Sequence, residues 1–313
     1  MTAVLTHPQA LLAHMREHQK ITPDTRFYAL ADTALNEDLV TRLQKNGHNT
    51  GHDALYNYSQ HTPGPPVAVS PVLLPLESLQ GAGLALFGFL HQTEHVAAES
   101  FMFIAASSPI NALARHLAQF DHVTLANKEQ NLLRFHDPNL FAAFLDVSDP
   151  TIKHQFLAPL SALWYADVDG HNFFQSGLHQ AMPEPLVQQH TWTAQQQAQF
   201  IRLTQPRAMM AQLEQDFGVM PLGIRKAWLA DITQWLQDAR THQATAPKTQ
   251  WLYCTLAMMA GGAFTKNEAV AEELLQVGHS FKHADFESAM AAVAPDVWER
   301  LRSSPALRPS TKA

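Results

Sequence analysis

The apolar residues of this chain follow two different periods, and the change between them comes near residue 180. Before that point, short apolar runs such as residues 26–32 and 101–106 alternate with segments whose apolar residues recur every three or four positions. Beyond it only the helical period continues, most regularly through Trp228, Ile232 and Trp235. Alternating strands and helices are typical of a sheet covered by helices. The sequence therefore predicts an α/β N-terminal lobe with a mixed or mostly parallel sheet, followed by an all-α C-terminal lobe.

The length of the chain also favours two lobes, because a single hydrophobic core stops growing before it reaches 313 residues. We expect an N-terminal helix in residues 1–25, an α/β domain in residues 26–180 and a helical lobe in residues 181–302. Residues 303–313 are basic and rich in proline, so they are expected to form a flexible tail.

Composition and charge limit the kinds of partner. An apolar share of 46 % with 16 % charged residues predicts a folded, globular chain. The net charge of −7, without a basic cluster, argues against a nucleic-acid partner. The start of the chain lacks the pattern of a secretory signal, and its apolar stretches are about half of the ~20 residues that a membrane span needs. With Cys254 as the only cysteine, these features predict a soluble cytoplasmic protein without stable membrane insertion.

The sharpest catalytic pattern is the H-x-x-E-H sequence formed by His91, Glu94 and His95. On a helix, this spacing places two imidazoles on one face, where they can bind Zn²⁺ beside a glutamate base. A third protein ligand is not evident downstream, and 18 histidines make close pairs common by chance. A solvated helix end is therefore the favoured interpretation, and a zinc-dependent hydrolase is the alternative.

Other catalytic and cofactor patterns are incomplete. No G-x-S-x-G elbow follows a strand candidate, and Gly81 and Gly83 lack the rest of a dinucleotide or phosphate-binding loop. We therefore expect a protein that is not an enzyme and that binds no cofactor and no metal.

Two tryptophans on the most regular helical stripe are candidates for partner binding. Trp228 and Trp235 lie two helical turns apart, and indole side chains are enriched at the energetic centres of interfaces. Packing between helices of the same lobe explains the same spacing and is the favoured interpretation.

The segment Arg134-Phe135-His136-Asp137-Pro138 resembles the R-F-Y-D-P hallmark of a chaperone or adaptor family for type VI secretion effectors. Histidine stands here where that family usually has an aromatic residue. Further landmarks in the same order are an opening strand that ends in Asp32, the proline-led run 70–76, residues 107–109, residues 156–160 and Trp164.

The resemblance covers roughly residues 26–170 and implies a non-enzymatic protein. Members of the family bind a cognate toxin effector, often through the N-terminal region of the toxin, and deliver it to the VgrG spike. Arg134 and Asp137 are accordingly candidate partner-binding residues. The residues themselves favour a structural role, in which Asp137 caps a helix and Arg134 pairs with a nearby carboxylate. A purely structural subunit of the secretion system is a further alternative.

Overall fold

A computed structural model of the chain describes residues 4–5, 8–34, 39–45, 53–58, 70–77, 79–92, 100–167, 172–184, 190–218, 225–242, 244–260, 262–277 and 283–303. It divides into two compact units, Met1–Leu203 and Thr204–Ala313. Within the described residues, no helix has the length and apolar character needed to cross a bilayer.

A seven-stranded sheet forms the centre of the first unit. Its strand order is β1-β9-β8-β5-β2-β4-β3, and two further strands, β6 and β7, form a separate hairpin. The strands are β1 (Val4–Leu5), β2 (Arg26–Ala31), β3 (Asp53–Ala54), β4 (Val72–Glu77), β5 (Phe101–Ala106), β6 (His122–Thr124), β7 (Gln130–Leu132), β8 (Leu160–Ala166) and β9 (Asn172–Ser176).

Every pairing in this sheet is antiparallel, so the prediction of a mixed or mostly parallel sheet is wrong. The prediction rested on the alternation of strands with helices along the chain, which is typical of parallel strands joined by helical connections. Here helices also cover both faces, although the strands run antiparallel. Burial on two faces removes the polar alternation that would otherwise distinguish an antiparallel sheet.

Two apolar cores lie on opposite faces of the sheet, as the alternation of side chains along β2 shows. Phe27 and Ala29 belong to one core and Tyr28 and Leu30 to the other. The first core includes residues of α1 (Pro8–Ile21), α2 (Leu39–Lys45) and α3 (Gly81–Gln92). The second includes residues of α4 (Ile110–Ala118), α5 (Pro138–Val147) and α6 (Pro150–Leu157).

The second unit is helical throughout its described part, which confirms the predicted all-α region. Helix α7 (Ala194–Phe217) crosses the division between the units and continues through Pro206. In the second unit α9 packs against α8, α11 and α12. The remaining helices are α8 (Arg225–Thr241), α9 (Pro247–Ala260), α10 (Glu268–Val277), α11 (His283–Ala292) and α12 (Pro295–Ser303).

Candidate partner-binding site

Arg134 is tied to the end of a central strand. Its guanidinium donates a hydrogen bond to the carboxylate of Asp32, the residue that follows β2. The Asp32 side chain is fully buried, whereas the Arg134 side chain is 37 % exposed. The pair therefore joins the segment that leads into α5 to the centre of the sheet and leaves part of the guanidinium at the surface.

His136 completes this buried polar cluster. Its Nε2 lies 3.5 Å from Oδ2 of Asp32, and its ring packs edge-on against Phe135. Burial by itself would raise the pKa of Asp32, but hydrogen bonds and charge interactions with His136 and then Arg134 lower that pKa well below its usual range. The histidine that stands here in place of the family's usual aromatic residue is therefore a partner of Asp32.

The backbone around Asp32 is held by three further hydrogen bonds. Its Oδ1 accepts from the Ala34 amide at 2.9 Å, and its own amide donates to the Ser100 carbonyl at 2.7 Å. The neighbouring Thr33 hydroxyl donates to the Ser70 carbonyl at 2.7 Å. The cluster thus joins the end of β2 to the segments that enter β4 and β5, which is a role in the scaffold.

Asp137 caps α5. Its carboxylate accepts a hydrogen bond from the Asn139 amide at 2.9 Å, and Pro138 occupies the first turn. The Asp137 amide in turn donates to the Arg134 carbonyl at 3.0 Å. These contacts confirm the structural interpretation of Arg134 and Asp137, while a direct contact of either residue with a partner stays a prediction.

The two tryptophans lie in the second unit and differ in exposure. Trp235 is only 4 % exposed, whereas Trp228 is half-buried. Their rings meet edge to face with centroids 5.9 Å apart. The position that a Cβ would occupy at Gly262 lies 2.4 Å from Nε1 of Trp235, so this indole is closely enclosed. Trp235 is thus a core residue of its unit, and Trp228 is partly exposed.

A groove in the second unit was not found from the sequence. It lies between α7 and the first turns of α9 and has a volume of about 570 Å³. Sequence periodicity assigns Met209 and Trp251 to helices but cannot tell which helix faces leave space between them. The lining residues are Gln205, Ala208, Met209, Gln212, Asp216, Pro247, Lys248 and Trp251.

The zinc alternative falls largely outside the described residues. Helix α3 ends at Gln92, and Glu94 and His95 lie beyond the described part of the chain, so the H-x-x-E-H prediction is not tested. Among the residues that the structure describes, no group of three or more histidine, cysteine, aspartate or glutamate side chains could hold a metal ion.

One serine and histidine pair approaches the geometry of a nucleophile with its base. Nε2 of His18 lies 3.0 Å from Oγ of Ser161. The Ser161 hydroxyl also lies 3.2 Å from the Ala105 carbonyl, and its single hydrogen can be donated to only one of these two groups. Because Ser161 is also buried, the pair serves to anchor α1 to β8.

Comparison with known families identifies part of the first unit. Residues 27–155 match the model of a domain of unknown function, DUF4123. This stretch is similar to that family. The match covers less than half of the chain and extends from β2 into α6, so it includes Asp32 and the segment 134–138. A search of curated proteins and a search of solved structures each gave no match to this chain.

Proposed function

We propose that this chain is a non-enzymatic adaptor that binds a cognate type VI secretion toxin and helps to load it onto the VgrG spike. The observation that carries the proposal is the DUF4123 match over residues 27–155, the region in which the ordered motifs resemble the effector-adaptor family. The resemblance is the basis for a role in type VI secretion. The DUF4123 match supports the range of residues over which the resemblance holds.

The use of the hallmark residues supports binding rather than catalysis. Arg134 and His136 both contact the buried carboxylate of Asp32, and Asp137 caps α5. All the hydrogen bonds described for these groups contribute to the folded scaffold. These distinctive polar residues therefore stabilise the fold of the domain. Other surfaces of the chain are then the ones that bind the partner.

The surface of the second unit supports the same proposal. The groove beside α7 combines apolar walls with a few polar groups, as ligand-binding clefts in general do. Phe217, on the same helix, is 51 % exposed, and Met259 of α9 is 40 % exposed. Phe217 directly follows the lining residue Asp216 in the chain, and apolar surface that continues beyond a groove is typical of faces that a partner covers.

Co-expression with the toxin encoded by the neighbouring gene tests the proposal. A tagged copy of this chain should recover the toxin in a stable complex, and secretion of the toxin should require the chain. Purified VgrG should then be retained by the complex more strongly than by the chain alone. A toxin that is equally soluble and equally secreted without this chain would refute the proposal. Retention of VgrG in the complete absence of toxin would instead indicate a structural subunit.

A further inference from the structure

We propose that the groove between α7 and α9 binds an amphipathic helix of the partner, with an acidic residue of that helix beside Lys248. This inference rests on the proposed adaptor function and adds the location and the chemistry of the contact.

The length of the groove suits a short helix. Its α7 wall runs from Gln205 to Asp216, with residues at successive spacings of three, four and four positions between Gln205, Ala208, Gln212 and Asp216. At a rise of about 1.5 Å per residue this wall is about 16 Å long, which equals three turns of a partner helix. The volume of about 570 Å³ lies within the usual range of binding clefts.

The walls favour a helix over an extended strand. Both walls are helices, so the groove offers no sheet edge that an added strand could extend. Ala208 leaves space on the α7 wall, while Met209 and Trp251 supply a flexible and a rigid apolar contact. A helix that presents apolar residues every three or four positions matches such a surface.

The polar residues that line the groove indicate which charge a partner should carry. The carboxylate of Asp216 accepts hydrogen bonds from the Trp251 indole at 2.9 Å and from the Gln212 amide at 3.1 Å. Gln205 is likewise engaged, because its amide donates to Gln250 and its carbonyl accepts from Arg240 at 2.5 Å.

Lys248 differs from these groups. Within the described part of the chain no ion pair or hydrogen bond engages its ammonium, which lies on an exposed residue in the first turn of α9. Asp216 keeps its negative charge, but both of its oxygens are engaged by Trp251 and Gln212, so the Lys248 ammonium is the charged group of the lining that remains available to a partner. A carboxylate on the partner helix would complement it and would set the register of docking.

Capture of the co-expressed toxin by variants of the full chain tests the site. Ala208→Glu places a charged side chain in the groove, and Lys248→Glu reverses the free charge. Each should lower the affinity for the toxin at least tenfold, whereas Lys248→Arg should stay within twofold of the unaltered chain. Ala230→Glu and Lys226→Glu make the same changes at exposed positions of α8 and serve as matched controls. Circular-dichroism melting confirms that each variant is folded.

Peptides tiled across the toxin identify the occupant. The peptide that binds should be helical when bound and should carry an acidic residue, and replacing that residue with lysine should restore its binding to the Lys248→Glu variant.

Full capture by a folded Ala208→Glu variant would overturn the inference and leave the adaptor function intact. Binding of an extended or basic peptide would overturn it as well. A dimer of the free chain that Ala208→Glu dissociates would assign the groove to a second copy and overturn it too. If the unaltered chain captures no toxin, the adaptor function fails and the inference fails with it.

Discussion

The guanidinium of Arg134 donates a hydrogen bond to the carboxylate of Asp32, which lies 102 positions earlier in the chain. This contact connects the residue that follows the central strand β2 with the segment that begins α5. Because Asp32 is fully buried, its negative charge depends on Arg134 and His136 for compensation. The hallmark segment is thus joined to the sheet by one buried carboxylate.

Arg134→Ala should destabilise the first unit by about 2 kcal/mol, because it removes a charged hydrogen bond from a buried carboxylate. The loss should be smaller than for a fully buried pair, because the Arg134 side chain is 37 % exposed. Urea denaturation monitored by fluorescence measures the loss.

The control for this variant is Lys20→Ala, which breaks a pair with Glu17 in which both side chains are more than two-thirds exposed. That change should cost less than about 0.5 kcal/mol. Asp32→Asn combined with Arg134→Ala should cost less than the sum of the two single changes. Equal losses for Arg134→Ala and Lys20→Ala would show that the Asp32 contact contributes nothing to stability.

Asp137→Ala should cost about 1 kcal/mol through the loss of the cap on α5, and Asp137→Ser should restore most of it. The serine variant also separates the two roles considered for this residue. If Asp137→Ser melts like the unaltered chain but captures the toxin less well, Asp137 contacts the partner directly. Parallel melting and capture measurements on the two variants give the answer.

The fold was predictable where the local signal was strong. The Asp137-Pro138 pair predicts both the cap and the start of α5, and the spacing of Trp228, Ile232 and Trp235 predicts α8. The direction of the strands was not predictable, because strands buried on both faces have the same apolar pattern in parallel and antiparallel sheets.

The candidate site was harder to predict from the sequence than the fold was. A carboxylate partner for Arg134 was expected, but its identity as Asp32 depends on a contact across 102 positions. The groove depends on how α7 and α9 pack, and Lys248 has no distinguishing local pattern. Local periodicity reports which face of a helix is apolar and carries no information on which helix it meets.

Stability should fall as the pH is lowered below 6.5, because two buried histidines are neutral in the folded chain. Burial lowers the pKa of His116 and of His190 to about 4 in each case. Above pH 6.5 neither state is protonated at these positions, so their contribution is fully present. Between pH 6.5 and 4 the unfolded chain takes up the protons first, which costs about 1.4 kcal/mol per pH unit for each histidine.

His116→Gln should make the fall in unfolding free energy shallower by about 1.4 kcal/mol per pH unit, because glutamine does not titrate. The amide can still donate to the Phe156 carbonyl, which His116 Nε2 contacts at 3.1 Å. The measurement is the free energy of unfolding in urea at pH 7.5, 6 and 5. His154→Gln makes the same replacement at an exposed position of α6 and serves as the control. An identical slope for the His116→Gln and His154→Gln variants would contradict the assignment.

Gly83→Ala should destabilise the first unit although alanine is the better helix former. A Cβ at Gly83 would lie 1.8 Å from the Leu76 carbonyl oxygen, so α3 must move away from β4. We expect a cost of about 2 kcal/mol, which outweighs the ~1 kcal/mol gained in helix propensity. Ala85→Ser, at an exposed position of the same helix, should change stability by less than about 0.5 kcal/mol. Thermal denaturation that showed Gly83→Ala to be stabilising would exclude the close approach.

Replacing each tryptophan with alanine should distinguish a core position from a surface position in the second unit. Trp235→Ala removes a side chain from an enclosed site and should cost about 3 kcal/mol or more. Trp228→Ala removes a half-buried ring and should cost less than half as much, so the variant should remain folded. If Trp228 contributes to partner binding, its alanine variant should capture the toxin at least tenfold less well at unchanged concentration of folded protein. Capture equal to that of the unaltered chain would restrict Trp228 to its edge-to-face contact with Trp235.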